Sequence, residues 1–315
     1  MQKRTLGKTG LEVTVLGYGA MGLCGSRRPI FGPVTDDQAE GILNAVLDAE
    51  INYIDTSFDY GMSEEYIGRF ASHRRDEYYL ATKCGCHVVD KGDQDEVSHV
   101  WTRENLMHNI EVSLKRLRTD HVDVWQYHGD HSPEKIQAED LMRVMADVQK
   151  QGKVRFLGAS TGLPHVITYA DWKVFDVFQL PYSALHRKEE NSITYAAKLD
   201  AGTVIRGGVN RGEPQGELSI RKYWPLWEQA KLDDLRAGGE NRTAFMLRFT
   251  IRHPHVNTTI VGTMNPVHLA ENVKSLEAGP LPDDVYAEAK RRLDQIGQEP
   301  EQFQSNDFSA TCPRQ

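Results

Sequence analysis

Cysteine is scarce in this chain, and it has neither a long apolar run nor an excess of basic residues. Four cysteines in 315 residues do not suggest a disulfide framework, so a reducing cytoplasm is the expected location. No apolar run approaches the ~20 residues that a membrane helix needs, and Met1 to Thr5 lack the apolar core of a signal peptide. The net charge of -8 argues against general binding to nucleic acid or to anionic membranes.

Two common cofactor and metal motifs are also missing. The chain has no Gly-x-Gly-x-x-Gly after a strand and opening a helix, which excludes a Rossmann dinucleotide site. Cys84-Gly85-Cys86-His87 looks like a metal motif, but its cysteines are separated by one residue, not by the roughly two to four usual for zinc. No second cluster accompanies it, so we expect packed thiols here and no metal.

Three strand-like runs each end in a polar residue of a type that is common in active sites. Tyr53-Ile54 leads to Asp55, the run from Tyr78 to Thr82 leads to Lys83, and the run from Val122 to Tyr127 leads to His128. Tyr60, followed by Gly61, comes from the loop after Asp55. Alone, each would be an ordinary packed or surface residue. A carboxylate, an ammonium, an imidazole and a phenol brought together can transfer a proton to a carbonyl oxygen.

This order of residues resembles the aldo-keto reductases, whose Asp, Tyr, Lys, His tetrad falls on Asp55, Tyr60, Lys83 and His128. The resemblance runs from Arg4 to about Leu293, and the stretch from Asp55 to Gly68 is its most specific part. It implies nicotinamide-dependent interconversion of an aldehyde or ketone, including sugars, with its alcohol. Tyr60 would be the general acid and base, with its pKa lowered by Lys83. Asp55 would hold Lys83, and His128 would orient the carbonyl or assist in proton transfer.

The order of helix and strand signals predicts the fold. Thr35 and Gln38 form a capping box before the apolar stripe Ala39, Ile42, Leu43, Val46 and Leu47. Thr102 caps a second helix, and Gly152 ends a third. Eight strand candidates with helices between most of them suggest a (β/α)8 TIM barrel, with a doubly wound sheet as the alternative. The resemblance decides for the barrel and adds an N-terminal hairpin, Lys3 to Leu6 and Leu11 to Val13, that closes its bottom. We expect one domain, residues 1–297, and a polar tail, residues 298–315.

The resemblance also implies a cofactor site in which an extended dinucleotide lies over the barrel mouth. Ser160, Gln179 and Thr161 match contacts to the nicotinamide carboxamide, although many members have Asn where Thr161 stands. Tyr182 matches an aromatic that stacks on the nicotinamide. The pyrophosphate loop falls on Arg206, Gly207, Gly208 and Val209, and an ordinary strand-end turn is the alternative. The adenosine end falls on Gly262, Thr263, Met264, Asn265, His268, Glu271 and Asn272.

Asn265 and Pro266 predict the N-cap and first residue of a helix. The N–H groups and dipole of such a helix suit a 2′-phosphate, although any helix needs a cap. Many NADP-preferring members have Lys before the position of Thr263 and Arg at the position of His268, where this chain has Gly262 and His268. We therefore expect NADP(H) to be preferred modestly, with NAD(H) as the alternative.

Two other functions remain open at this stage. One is a cofactor-sensing binding protein on the same fold, like the potassium-channel β subunits of the family. The other is an unrelated barrel hydrolase that uses Asp55 and His128. For the enzyme, the expected partner is a small carbonyl or alcohol, with pocket walls from Tyr18, Met21, Phe31, Phe58, His87, Trp101 and residues 207–243. No nucleic-acid or membrane partner is expected.

Overall fold

A computed structural model describes residues 1–25, 33–92, 95–129, 131–138, 140–212 and 223–303. Its strands are β1 (Lys3–Thr5), β2 (Glu12–Thr14), β3 (Leu16–Gly19), β4 (Tyr53–Asp55), β5 (Tyr79–Cys84), β6 (Cys86–Asp90), β7 (Asp95–His99), β8 (Val122–His128), β9 (Val154–Ser160), β10 (Val177–Pro181), β11 (Gly202–Arg206) and β12 (Thr258–Val261).

The helices are α1 (Asp36–Asp48), α2 (Ser63–Phe70), α3 (Arg103–Leu117), α4 (Pro133–Ala138), α5 (Leu141–Lys150), α6 (His165–Asp171), α7 (Glu190–Lys198), α8 (Pro225–Gln229), α9 (Arg242–Arg252), α10 (Pro266–Glu277) and α11 (Asp283–Asp294). Short 3₁₀ turns lie at Gly7–Thr9, Ala20–Leu23, Ser72–Glu77 and Leu232–Leu235. Within the described ranges, no helix has the length and apolar character that crossing a membrane requires.

Eight of the described strands close into one parallel barrel, so the predicted (β/α)8 fold is confirmed. The order around the barrel is β3, β4, β5, β8, β9, β10, β11 and β12, and β12 pairs with β3 to close it. Helices pack around the outside, for example α5 against β9 and α9 against β12. In this architecture the C-terminal ends of the strands form the barrel mouth, where loops bring side chains together.

The predicted hairpin closes the opposite end of the barrel. β1 and β2 pair antiparallel, with Lys3 opposite Thr14. The hairpin places Leu6, Leu11 and Val13 against an apolar cluster inside the barrel, made of Tyr53, Ala81, Val124, Val177 and Val204. The side chains of this cluster are at most 3% exposed, so the barrel interior beneath the mouth is closed to bulk solvent.

The predicted helix signals are also confirmed. Thr35 and Gln38 form both hydrogen bonds of a capping box at the start of α1, and the predicted apolar stripe of that helix is buried. Thr102 accepts from the Asn105 N–H at the start of α3. Gly152 follows the end of α5 with φ near +77°, a left-handed conformation that suits glycine at a helix terminus.

One connection at the barrel mouth contains a hairpin. Within residues 84–101, β6 and β7 pair antiparallel. Its strands alternate buried and exposed positions too weakly for periodicity to reveal them. Of the predicted polar tail, residues 304–315 lie outside the described residues.

Candidate active site

A polar layer lies directly above the apolar cluster of the barrel. Side chains two residues apart on a strand point to the same face. On five strands of the barrel, one inward side chain is apolar and the inward side chain two residues later is polar. The pairs are Tyr53 and Asp55, Ala81 and Lys83, Val124 and Gln126, Val177 and Gln179, and Val204 and Arg206. The inward-facing side chains are therefore polar at the mouth of the barrel and apolar directly beneath it.

Asp55 and Lys83 form a buried ion pair at the centre of this layer. The Lys83 Nζ donates to Asp55 Oδ1 at 2.6 Å and to the Thr56 carbonyl at 2.6 Å. The other carboxylate oxygen of Asp55 accepts from Gln126 Nε2 at 2.7 Å and from Gln179 Nε2 at 2.8 Å. Both charged side chains are at most 3% exposed. Such burial is tolerated because the charges are paired and further hydrogen bonds satisfy them.

The electrostatics keep Lys83 charged. Burial by itself lowers the pKa of Lys83, but the Asp55 carboxylate and neighbouring groups outweigh it and raise that pKa above its ordinary value. The ammonium is therefore a permanent cation at neutral pH.

Tyr60 lies beside this cation on the loop after β4. The Lys83 Nζ is 4.9 Å from the centre of its ring. The loop turns sharply at Gly61, where φ is +51° and a Cβ would lie 2.3 Å from the Cys24 carbonyl oxygen, so only glycine fits. Burial raises the pKa of Tyr60, and the charge and hydrogen bond of Lys83 oppose that rise. The phenol is thus protonated at neutral pH and has a cation next to it.

His128 faces Tyr60 from the end of β8. The two ring centres are 6.4 Å apart and nearly perpendicular. Burial, reinforced by the charge of Lys83, lowers the pKa of His128 to about 3, although the Asp59 carboxylate opposes the shift. The imidazole, whose side chain is 24% exposed, is neutral at pH 7 and can hydrogen-bond a ligand at the mouth. The structure therefore brings together all four side chains predicted from the sequence.

The residues predicted to hold the nicotinamide carboxamide join the same network. Ser160 Oγ donates to Gln179 Oε1 at 2.9 Å, and Gln179 in turn donates to Asp55. The Thr161 N–H donates to the Gln179 carbonyl, and its side chain is buried. Ser160 lies at the end of β9 with 6% of its surface exposed. The Gln179 oxygen has a second lone pair for a ligand amide.

The predicted stacking role of Tyr182 is wrong. Its side chain is completely buried, and its hydroxyl hydrogen-bonds the Tyr286 hydroxyl at 3.1 Å. Its ring packs against Phe249 and His253 of the α9 region. Tyr182 lies three residues after the inward-facing Gln179, so the alternation of side chains directs it outward into the helix layer. No face of its ring reaches the mouth.

The predicted pyrophosphate loop follows β11 at the mouth. Arg206 and Gly207 are exposed there, and the space around Gly207 is open. Gly208 is buried, and a Cβ at this position would lie 2.4 Å from Thr259 Oγ1, so a larger residue would push the loop from the barrel. Val209 is only 8% exposed. Arg206 is close enough to His128 to lower the pKa of that imidazole.

The predicted adenosine end covers the connection from β12 to α10 and the first two turns of α10. Asn265 caps α10 as predicted, with its Oδ1 accepting from the Val267 N–H at 2.9 Å. The Asn265 N–H donates to Thr263 Oγ1. The remaining predicted residues divide by exposure: Gly262, His268 and Glu271 are exposed, Met264 is half-buried, and Asn272 is 7% exposed. The capping bond already uses one N–H that a 2′-phosphate would need.

The predicted pocket walls need correction. Tyr18, Phe58 and Trp101 are at most 6% exposed and belong to the packed interior. His87 lies on the hairpin face opposite to Cys86 and His99. Met21 is half-buried. Phe31 and residues 213–222 of the predicted 207–243 wall lie outside the described residues.

Sequence reasoning missed several residues of the site. Gln126 precedes His128 by two residues, so strand alternation alone could have placed it on the same inner face. The Asp59 carboxylate lies 3.8 Å from His128 Nδ1 and accepts a hydrogen bond from Ser57. Cys86 and His99 reach His128 from β6 and β7. Finding these two required the hairpin pairing, for which the sequence gives no strong signal.

Comparison with known proteins places this arrangement in a family. The model of the Aldo/keto reductase family matches residues 15–294. The chain is 25% identical to the uncharacterized oxidoreductase YqkF of Bacillus subtilis (strain 168), over 90% of this chain and 94% of that protein. It is also 25% identical to the L-galactose dehydrogenase of Arabidopsis thaliana, over 94% of this chain and 95% of that protein.

The fold has solved counterparts as well. The holo form of aldo-keto reductase AKR11C1 from Bacillus halodurans superimposes with a TM-score of 0.78 at 24% identity, and 99% of each chain is covered.

We expect a single substitution in the buried ion pair to lower the free energy of unfolding more than the double substitution does. Asp55→Asn leaves the Lys83 charge buried without a counter-charge, so we expect unfolding to become easier by about 3–5 kcal/mol. Adding Lys83→Met removes that charge and should recover part of the loss. Urea denaturation gives both free energies of unfolding.

The matched control is Asp147→Asn in the exposed pair with Arg103, which should change stability by no more than about 1 kcal/mol. An Asp55→Asn protein as stable as wild type would contradict the expectation.

Proposed function

This chain belongs to the aldo/keto reductase family, and we propose that it is a nicotinamide-dependent oxidoreductase that interconverts an aldehyde or ketone with its alcohol. The convergence of Asp55, Lys83, Tyr60 and His128 at the barrel mouth carries this proposal. A nicotinamide, when bound, supplies or accepts the hydride at the carbonyl carbon. The protein must then supply the proton and fix the geometry.

Tyr60 is the proton donor in reduction and the acceptor in oxidation. The phenol is protonated at neutral pH because burial raises its pKa. As the proton leaves, a phenolate forms, and the Lys83 ammonium stabilises that negative charge directly. Asp55 keeps the ammonium in place through the 2.6 Å contact. The cation thus acts where charge develops in the transition state.

His128 orients the carbonyl and does not donate its proton as an acid. Its lowered pKa makes the imidazole neutral across the physiological range, so it offers one N–H donor and one acceptor. Its ring centre lies 6.4 Å from that of Tyr60, so the two side chains are close enough to contact the same carbonyl oxygen. Two donors, one on the loop after β4 and one at the end of β8, would then hold that oxygen in one position.

The residues present fit a dinucleotide over the mouth. The exposed Arg206 cation and the open space around Gly207 suit a pyrophosphate, with Gly208 and Val209 supporting the loop. Ser160, Thr161 and Gln179 hold the nicotinamide end. The adenosine end takes Gly262, Thr263, Met264, Asn265, His268, Glu271 and Asn272. We propose NADP(H) as the preferred cofactor and NAD(H) as the weaker one.

We propose a hydroxylated carbonyl compound, such as a sugar, as the substrate class. His99, His128 and Arg206 supply polar groups around the mouth. A relative that aligns over nearly the whole chain is described as an L-galactose dehydrogenase.

Removing the phenol tests the proposed acid. Tyr60→Phe keeps the ring and deletes the proton, so kcat should fall by about 10²–10⁴, the usual contribution of general acid catalysis. Cofactor affinity, measured by quenching of tryptophan fluorescence, should stay close to that of wild type. Turnover is followed by oxidation of the reduced cofactor with a panel of aldehydes and sugars. Near-normal turnover on several substrates would overturn the assignment. Tight cofactor binding by a wild-type protein that turns over none of them would support the cofactor-sensing alternative.

The pH profile tests the neutral histidine. Since the pKa of His128 is held far below its ordinary value, single-turnover reduction should show no histidine inflection between about pH 5 and 8. His128→Gln keeps hydrogen-bonding groups without a titrating one, so its rate should fall at every pH while the pH profile stays flat. A limb near the ordinary histidine pKa that disappears in His128→Gln would show that His128 acts as an acid.

Cofactor choice is tested at the helix N-terminus. His268→Arg adds the cation that many NADP-preferring relatives carry, and a charged contact is worth about 1.5–3 kcal/mol. We therefore expect Kd for NADPH to fall by one to two decades with little change for NADH. His268→Ala is the control and should weaken NADPH alone. If wild type binds NADH more tightly than NADPH, the cofactor preference proposed here is wrong.

A further inference from the structure

Three potential metal ligands meet at the mouth beside the proposed catalytic groups. Cys86 and His99 are direct partners across the β6–β7 hairpin, so their side chains lie on the same face. His128 meets them from the end of β8, with its Nδ1 3.4 Å from Cys86 Sγ. The rings of His99 and His128 are 5.5 Å apart and nearly perpendicular. One ligand atom from each residue lies within 4.8 Å of the others.

This ligand set has the chemistry of a zinc site. Thiolate sulfur binds zinc at about 2.3 Å and imidazole nitrogen at about 2.0–2.1 Å, so tetrahedral ligand atoms lie roughly 3.3–3.7 Å apart. The observed separation of Cys86 Sγ and His128 Nδ1 falls in this range. Three protein ligands leave the fourth position open to water or to a substrate oxygen, as in catalytic zinc sites.

The surroundings support a cation despite the nearby charge of Lys83. The Lys83 ammonium is already paired with Asp55. A second carboxylate, Asp59, lies 3.8 Å from His128 Nδ1 and is held by Ser57. Ser57 Oγ is also 3.8 Å from Cys86 Sγ. A carboxylate this close to the ligands adds negative charge that favours a bound cation.

We propose that Cys86, His99 and His128 bind a Zn²⁺ ion at the barrel mouth, and that the bound ion, lying against His128, competes with the carbonyl substrate. Binding releases the thiol proton of Cys86 to solvent, and no electron is transferred. The ligands are far apart in sequence and two of them depend on the hairpin pairing. The expectation of no metal, based on the local Cys84-Gly85-Cys86-His87 spacing, could not include them. The blocking part of the proposal depends on the proposed function, whereas metal binding does not.

Cobalt binding tests the ligands without any activity measurement. Titration of the full chain with Co²⁺, its thiols kept reduced, should give about one ion per chain and the near-ultraviolet absorption of a cobalt–thiolate bond. Cys86→Ser should abolish that absorption. His99→Ala changes an exposed residue, so it should fold normally and bind Co²⁺ at least about tenfold more weakly.

His87→Ala is the matched control. His87 lies on the same hairpin, one residue from Cys86, but pairs with Ser98 on the opposite face. Its removal should leave cobalt affinity unchanged. Equal losses in His87→Ala and His99→Ala, or cobalt–thiolate absorption that persists in Cys86→Ser, would overturn the proposed site.

Kinetics test the blocking role separately. Zn²⁺ should inhibit wild type competitively with the carbonyl substrate, the chelator EDTA should reverse it, and His99→Ala should need at least about tenfold more Zn²⁺ for the same inhibition. Metal binding at the three residues without inhibition would overturn the blocking role alone. A protein that binds the metal but reduces no carbonyl would count against the proposed function and leave the metal site standing.

Discussion

The Asp55–Lys83 ion pair is the constraint around which the mouth is arranged. Two opposite charges this deep in a barrel are stable only if every remaining hydrogen-bonding position is used. Asp55 therefore needs Gln126 and Gln179, Lys83 needs the Thr56 carbonyl, and Gln179 is fixed in turn by Ser160. The polar layer is thus one connected network, in which the position of each member depends on the others.

The same cation gives its two titratable neighbours different protonation states. Lys83 favours the negative form of Tyr60 and disfavours the positive form of His128, so its charge acts to lower the pKa of both, although the pKa of Tyr60 stays above its ordinary value. Burial opposes it at Tyr60 and reinforces it at His128, because burial penalises whichever form is charged. At neutral pH the result is a protonated phenol beside a neutral imidazole. Burial and the charge of Lys83 are the two largest causes of this difference, and Asp59, His99 and Arg206 contribute further at His128.

The site residues that lie at strand ends could be predicted from the sequence. The residues whose positions depend on the pairing of distant strands could not. Asp55, Lys83 and His128 end apolar runs, so their convergence followed from the barrel. Gln126 was missed only because alternation was not followed back from His128. Tyr182 was assigned by its match to the stacking aromatic of the family, but three residues after an inward Gln179 is an outward position. Cys86 and His99 were beyond reach, because polar hairpin strands look like a loop and their register depends on contacts that composition does not encode.

The apolar layer beneath the polar network affects the electrostatics of the site as well as the stability of the barrel. Each of five strands changes from an apolar to a polar inward residue within two positions, so the ion pair rests directly on Tyr53, Ala81, Val124, Val177 and Val204. Leu6, Leu11 and Val13 of the N-terminal hairpin close that layer from below. Without this closure, water entering from the bottom would raise the local dielectric and weaken the effect of Lys83 on Tyr60. The hairpin lies at the far end of the barrel from the chemistry, yet by excluding water it sets the strength of the electrostatic interaction on which the proposed proton transfer depends.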